Sequence, residues 1–175
     1  MNSEQKRVAK ALEKAIQMEI DGKKFYLDAS QRSTNELGRD LFAKLANEED
    51  LHKQKFESIY QMVKKDQAWP EVKFTADGSK HLHTIFAAAS AKSEAADPTT
   101  TELEAVQTAM TMETETQEFY QSQEQLSTNP MEKQFYHALY RQEYEHHRIL
   151  LDYYEYLKDP AAWFVDKEHP SMDGG

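Results

Sequence analysis

Leu45-Ala46-Asn47-Glu48-Glu49-Asp50-Leu51-His52-Lys53-Gln54-Lys55-Phe56 is the stretch that decides how this chain folds. Leu45, Glu49, His52 and Phe56 recur at steps of four and three, and Ile59 and Val63 continue the series, so on a helix they share one face. Two positions on that inward seam are polar. Glu49 and His52 stand three apart, which projects a carboxylate and an imidazole side by side, the spacing of metal ligands. A second such pair, Glu143 and His146, lies on the seam Leu139, Glu143, His146, Leu150, Tyr153 and Leu157.

Working outward, Pro70, Pro98, Pro130, Pro160 and Pro170 fall between the periodic segments or in their first turns, where proline does a helix no harm. The spacing predicts four long helices, over about 4–29, 36–64, 101–125 and 130–158. The first carries Leu12, Ala15, Ile16, Glu19, Gly22 and Tyr26 on one stripe; the third carries Val106, Ala109, Met110, Glu113, Thr116 and Tyr120. Thr101 with Glu104 reads as a capping box at the start of the third, and Asn129, Pro130 and Glu132 as the cap and box of the fourth. Between the pairs runs a long crossover, about 65–101, with Trp69-Pro70, an Asp77-Gly78-Ser79 turn and an alanine-rich segment expected to form a short helix up to Ser93.

One offset relates the two halves. Glu19 and Glu113, Glu49 and Glu143, and His52 and His146 are each 94 residues apart, and the same shift carries Phe25-Tyr26 onto Phe119-Tyr120 and Ser33-Thr34-Asn35 onto Ser127-Thr128-Asn129. Chance rarely keeps one register across so many residue types. The expected fold is all-α: an antiparallel four-helix bundle made from two duplicated helical hairpins joined by the crossover, with residues 1–159 as the bundle domain and 160–175 as a tail packed on it or extending from it.

Composition narrows the chemistry. A net charge of −10, from 31 acidic and 21 basic residues, opposes binding to nucleic-acid backbones and anionic membranes. There is no cysteine, which removes disulfides, thiolate nucleophiles, iron–sulfur clusters and rubredoxin-type iron. The polar Met1–Arg7 start lacks the pattern of a secretory signal, and the apolar run near Ile85–Ala89 is too short to span a bilayer, so a soluble cytoplasmic protein is expected.

Burying an unpaired glutamate costs several kcal/mol, and this chain places four glutamates and two histidines on inner faces. Lys23, Lys44, Lys53 and Arg141 fall mostly off the seams, so internal salt bridges do not obviously neutralise the cluster. Two divalent ions would. Oxygen-rich ligation with one imidazole per ion suits iron or manganese better than structural zinc, although ligand type alone does not exclude zinc.

From Leu12 to Leu157 the chain resembles the ferritin-like di-iron carboxylate family, in its rubrerythrin and bacterioferritin branch. That family takes a Glu from each of two helices and Glu-x-x-His from each of the other two. The resemblance implies a centre of two iron ions in which Glu19 and His52 hold one metal, Glu113 and His146 the other, and Glu49 and Glu143 bridge both. It also implies Tyr26 and Tyr120 as hydrogen-bond donors beside the ligands, and Glu48 and Gln142 at the places where relatives orient the opposite histidine; the Glu48/Gln142 difference implies inequivalent metals. Two departures from rubrerythrin stand out. Thr116 occupies the place of a further glutamate ligand, and the cysteine-rich rubredoxin module has no counterpart here, so electrons are expected from an external donor protein.

The expected activity is reduction of hydrogen peroxide or dioxygen, in a rubrerythrin-like peroxidase role in oxidative stress, by a homodimer. Ferroxidase or iron-storage function is the alternative, an oxygenase or oxidase for an organic substrate a third, and a metal-free helical interaction module the reading from another class. His81, His83, His137, His147 and His169 are not expected to be ligands, His147 because its position lies about 100° of helix rotation from His146. Gly22 inside the first helix is read either as room for an incoming small molecule or as close helix packing, with packing the preferred reading. The tail aromatics Trp163-Phe164 are expected to pack on the bundle, with Glu168 a remote candidate ligand.

Overall fold

A computed structural model describes residues 3–65, 69–70 and 100–163. The described residues form four long helices and no strand: α1 (Ser3–Arg32), α2 (Glu36–Lys64), α3 (Thr100–Leu126) and α4 (Pro130–Lys158). The expected all-α, ferritin-like architecture is what the chain adopts. The alanine-rich segment, His81, His83, Phe164, Glu168 and His169 lie outside the described residues.

The turns are short because each next helix is capped at once. Asn35 and Asn129, both in extended backbone, accept hydrogen bonds from the amides of Leu37 and Met131, and Pro130 opens α4 where no amide is needed. Two antiparallel hairpins result, α1 on α2 and α3 on α4, and α1 also packs against α3. α3 begins at least one residue before the expected Thr101, so Thr101 is inside the helix rather than its cap. Helix α4 ends at Asp159, whose carboxylate caps a further helical turn at 160–163, and Trp163 then packs edge-on against Tyr156.

Two apolar clusters fill the bundle, one on each side of the polar seam positions. The first gathers Tyr26, Leu41, Phe42, Leu45, Val106, Ile149 and Tyr153; the second gathers Leu12, Ala15, Phe56, Ile59, Tyr120, Phe135, Tyr136 and Leu139. Glu19, Glu49, His52, Glu113, Glu143 and His146 fall between these clusters along every helix, so the acidic site lies between two dry plugs.

The hairpin ends solve one problem in two ways. Glu132 is buried, and its carboxylate takes two hydrogen bonds from Arg7, at 2.9 and 3.1 Å, instead of completing the expected capping box at Asn129. The residue 94 earlier is Gly38. There the missing side chain makes room for buried Glu102, which accepts hydrogen bonds from Ser33 and Tyr153. A Cβ at Gly38 would lie 2.6 Å from both Glu102 Oε1 and Ser33 Oγ and would clash with the Tyr153 hydroxyl. Gly38→Ala must therefore push this network apart, and we expect a loss of about 1–3 kcal/mol in urea denaturation. Unchanged stability would show that the three side chains move aside freely.

Candidate metal centre

Each of the six inward polar residues is at most 4% exposed. They form two overlapping groups, Glu19–Glu49–His52–Glu143 and Glu49–Glu113–Glu143–His146, and in each the potential ligand atoms lie within 4.8 Å of one another. Glu49 and Glu143 belong to both.

The geometry gives the two shared carboxylates a distinct position. Glu143 directs one oxygen to Nδ1 of His52 and the other to Nδ1 of His146, each at 3.1 Å. Glu49 does the same at 3.5 Å to both rings. The remaining two carboxylates are one-sided: Glu19 lies 3.4 Å from His52 Nδ1, and Glu113 lies 3.6 Å from His146 Nδ1. The imidazoles stack with centroids 5.8 Å apart.

The outer edges of the ligands are held from the opposite repeat. Tyr26 donates to Glu113 and Tyr120 to Glu19, so each tyrosine crosses to the other half of the bundle. Burial, followed by the charge of the accepting glutamate, keeps both phenols protonated far into the alkaline range. His52 Nε2 contacts Gln142 Oε1 at 2.6 Å, and His146 Nε2 contacts Glu48 Oε2 at 2.8 Å. Both rings thus turn Nδ1 towards the carboxylates.

At the centre, hydrogen bonding runs out. Nδ1 of both histidines, Oε2 of Glu19 and both oxygens of Glu143 are buried without a hydrogen-bond partner among the described residues. Acceptors facing acceptors at such distances require positive charge between them, either protons or metal ions. Burial, then repulsion from Glu49 and Glu143 respectively, drives Glu19 and Glu113 well above the ordinary carboxyl range. Burial alone would raise Glu49 and lower the histidines. The nearby Glu19, His146 and His52 groups outweigh it at Glu49, and Glu143 leads the carboxylates that outweigh it at both rings. Without metal the cluster is balanced by its own protons. With hard-oxygen and imidazole donors converging on two points, it fits two divalent ions.

A cavity of about 20 Å³ adjoins the carboxylates between α1 and α3, bordered by Met18, Met112, Gly22 and Thr116 together with Glu19, Glu49, Glu113 and Glu143. Sequence reading missed the methionine pair, although Met18 and Met112 are also 94 apart. Gly22 corrects another expectation. A Cβ there would meet Glu49 Cγ at 3.5 Å, an ordinary contact, so tight packing does not demand glycine; its effect is to leave space beside Glu49. Thr116 donates its hydroxyl to the Met112 carbonyl and offers no carboxylate. His147 and His137 lie outside the two ligand groups; His137 instead pairs with Glu124.

A helical bundle whose two hairpins meet around carboxylate-shared ligand groups is the hallmark of the ferritin-like di-metal class. Within that class the chain belongs to the rubrerythrin family, a di-iron family, whose profile matches residues 10–154. Comparison with curated proteins and with solved structures found no match. None of the described helices is long and apolar enough to cross a membrane.

Proposed function

We propose that the protein is a di-iron peroxidase that reduces hydrogen peroxide with electrons from an external donor protein. The observation that carries this reading is the paired arrangement of Glu49 and Glu143, each with one oxygen towards either histidine. That is how two carboxylates would hold two ions as one unit. Glu19 and His52 would complete one ion's ligands, and Glu113 and His146 the other's.

Two ferrous ions would supply the two electrons that cleavage of the O–O bond consumes, with two protons completing two waters. The chain's own residues prepare for this. Tyr26 and Tyr120 fix the angle of Glu113 and Glu19, and the two apolar clusters exclude bulk water. The cavity beside the carboxylates has room for a molecule the size of water or peroxide.

Ferroxidase activity is the second reading, favoured by the net charge of −10, which would draw ferrous ions to the protein. Anaerobic ferrous loading followed by stopped-flow mixing separates the two: oxidation by peroxide is expected to outpace oxidation by dioxygen. Comparable or faster reaction with dioxygen would favour the ferroxidase. We carry a homodimer forward as the assembly of the peroxidase, and native mass distinguishes it from the closed shell of an iron store.

A further inference from the structure

Glu48 and Gln142 occupy the same place in the two repeats, 94 residues apart, yet only one is charged. Each reaches across to the histidine of the opposite repeat, Glu48 to His146 at 2.8 Å and Gln142 to His52 at 2.6 Å. We propose that this pair makes the two metal positions unequal, so that the His146 position takes up its ion first and holds it more tightly. The inference rests on the di-metal reading and specifies how that site loads.

A carboxylate only accepts hydrogen bonds, so the Nε2 atom of His146 keeps its proton, and Nδ1 is the nitrogen that gives up its proton and offers its lone pair when a metal ion binds. The Gln142 carbonyl oxygen imposes the same tautomer on His52. The two acceptors differ in strength. A hydrogen bond to an ionised acceptor is roughly twice as strong as one between neutral groups, and it leaves more electron density on the ring for the metal-facing nitrogen. Glu48 also adds a negative charge on the His146 side that Gln142 does not add on the other.

Nothing else in the ligand set offsets this difference. The six ligands repeat residue for residue, Glu143 is equidistant from the two rings, and the tyrosines bond the two outer glutamates reciprocally. Lys55 lies near enough to Glu48 for their charges to interact and has no counterpart, because Ile149 stands 94 residues on. It draws off part of the carboxylate's field, while the hydrogen bond to His146 remains. Glu48 and Gln142 are therefore positioning residues that act through the histidines.

The test uses metal-free protein and Co(II) alone, with no oxidant or reductant. Visible absorption and calorimetry count the binding steps, and anomalous diffraction from crystals given about one equivalent shows which position fills. In the unaltered protein the affinities are expected to differ by about 10- to 100-fold, the usual effect of a partner hydrogen-bonded to a ligand, with the first ion beside His146. Glu48→Gln is expected to merge the two steps, Gln142→Glu alone to tighten the His52 position, and the double exchange to place the first ion beside His52. Equal filling in the unaltered protein, or a preference for His146 that survives the double exchange, would overturn the proposal. Absence of Co(II) from both positions would instead overturn the di-metal reading beneath it. Thermal unfolding of each variant without metal checks the fold separately.

Discussion

Glu49→Ala is expected to remove both metal ions, whereas His52→Ala removes chiefly one. The reason is the division of labour visible in the cluster. Glu49 directs an oxygen to each histidine and belongs to both ligand groups, so its loss takes a ligand from each. His52 belongs to one group only; the other retains Glu49, Glu113, Glu143 and His146. Metal analysis after ferrous loading should fall from about two ions per chain to near zero in the first variant, where both positions drop from four ligands to three, and to about one in the second, where the His146 position keeps all four. Glu49→Gln preserves the side-chain volume and checks that the loss is not one of folding. Equal depletion in the Glu49 and His52 variants would contradict bridging by Glu49.

The second large effect concerns pH. In the metal-free protein the folded state keeps protons on Glu19, Glu113, His52 and His146 that the unfolded chain releases near the ordinary values of 4.5 and 6.5. A group whose proton is held more tightly in the folded state loses its stabilising contribution as pH rises above the unfolded value. Each retained proton then costs about 1.4 kcal/mol per pH unit until the folded state also releases it. Glu49 and Glu143 are displaced the other way, and their contribution is lost as pH falls below 4.5. The metal-free protein should therefore be most stable on the acid side of neutrality and weaken between pH 5 and 8. Metal-loaded protein should show the reverse trend, because divalent ions displace these protons and bind better as pH rises. Urea denaturation with and without chelator measures both slopes. Glu19→Gln, which keeps a neutral side chain in place, should flatten the metal-free slope. A metal-free protein that gains stability steadily from pH 5 to 8 would refute this proton balance.

Much of this could be read from the sequence because duplication wrote it twice. A lone Glu49–His52 pair is common on helices, but a partner pair at a constant offset, together with Glu19 and Glu113, ties four helices to one cluster. The cap at Asn129 was equally legible, since it depends on local chemistry, and the structure adds its repeat-mate Asn35 as the cap of α2. What escaped was long-range. Glu132 looked like a capping residue because nothing local announces Arg7, 125 positions away, as its partner. Glu102 carried no signal of its own in the sequence; its burial depends on the space left by Gly38 in another helix. Gly22 showed the same limit, because only the position of Glu49 reveals that an alanine would fit there.

The repeat also bears on ancestry. One hairpin carrying Glu19, Glu49 and His52 holds only part of a ligand group; a second copy facing it would supply the rest of both. Such a site needs no joined chain, only two like halves. While the halves are separate molecules with one sequence, every substitution falls on both sides at once. Once they are joined, each side drifts alone. Gly38 opposite Glu132, Gly22 opposite Thr116, and Glu48 opposite Gln142 are differences that a symmetric pair of identical chains could not hold, and joining the halves is what would let two like metal positions diverge.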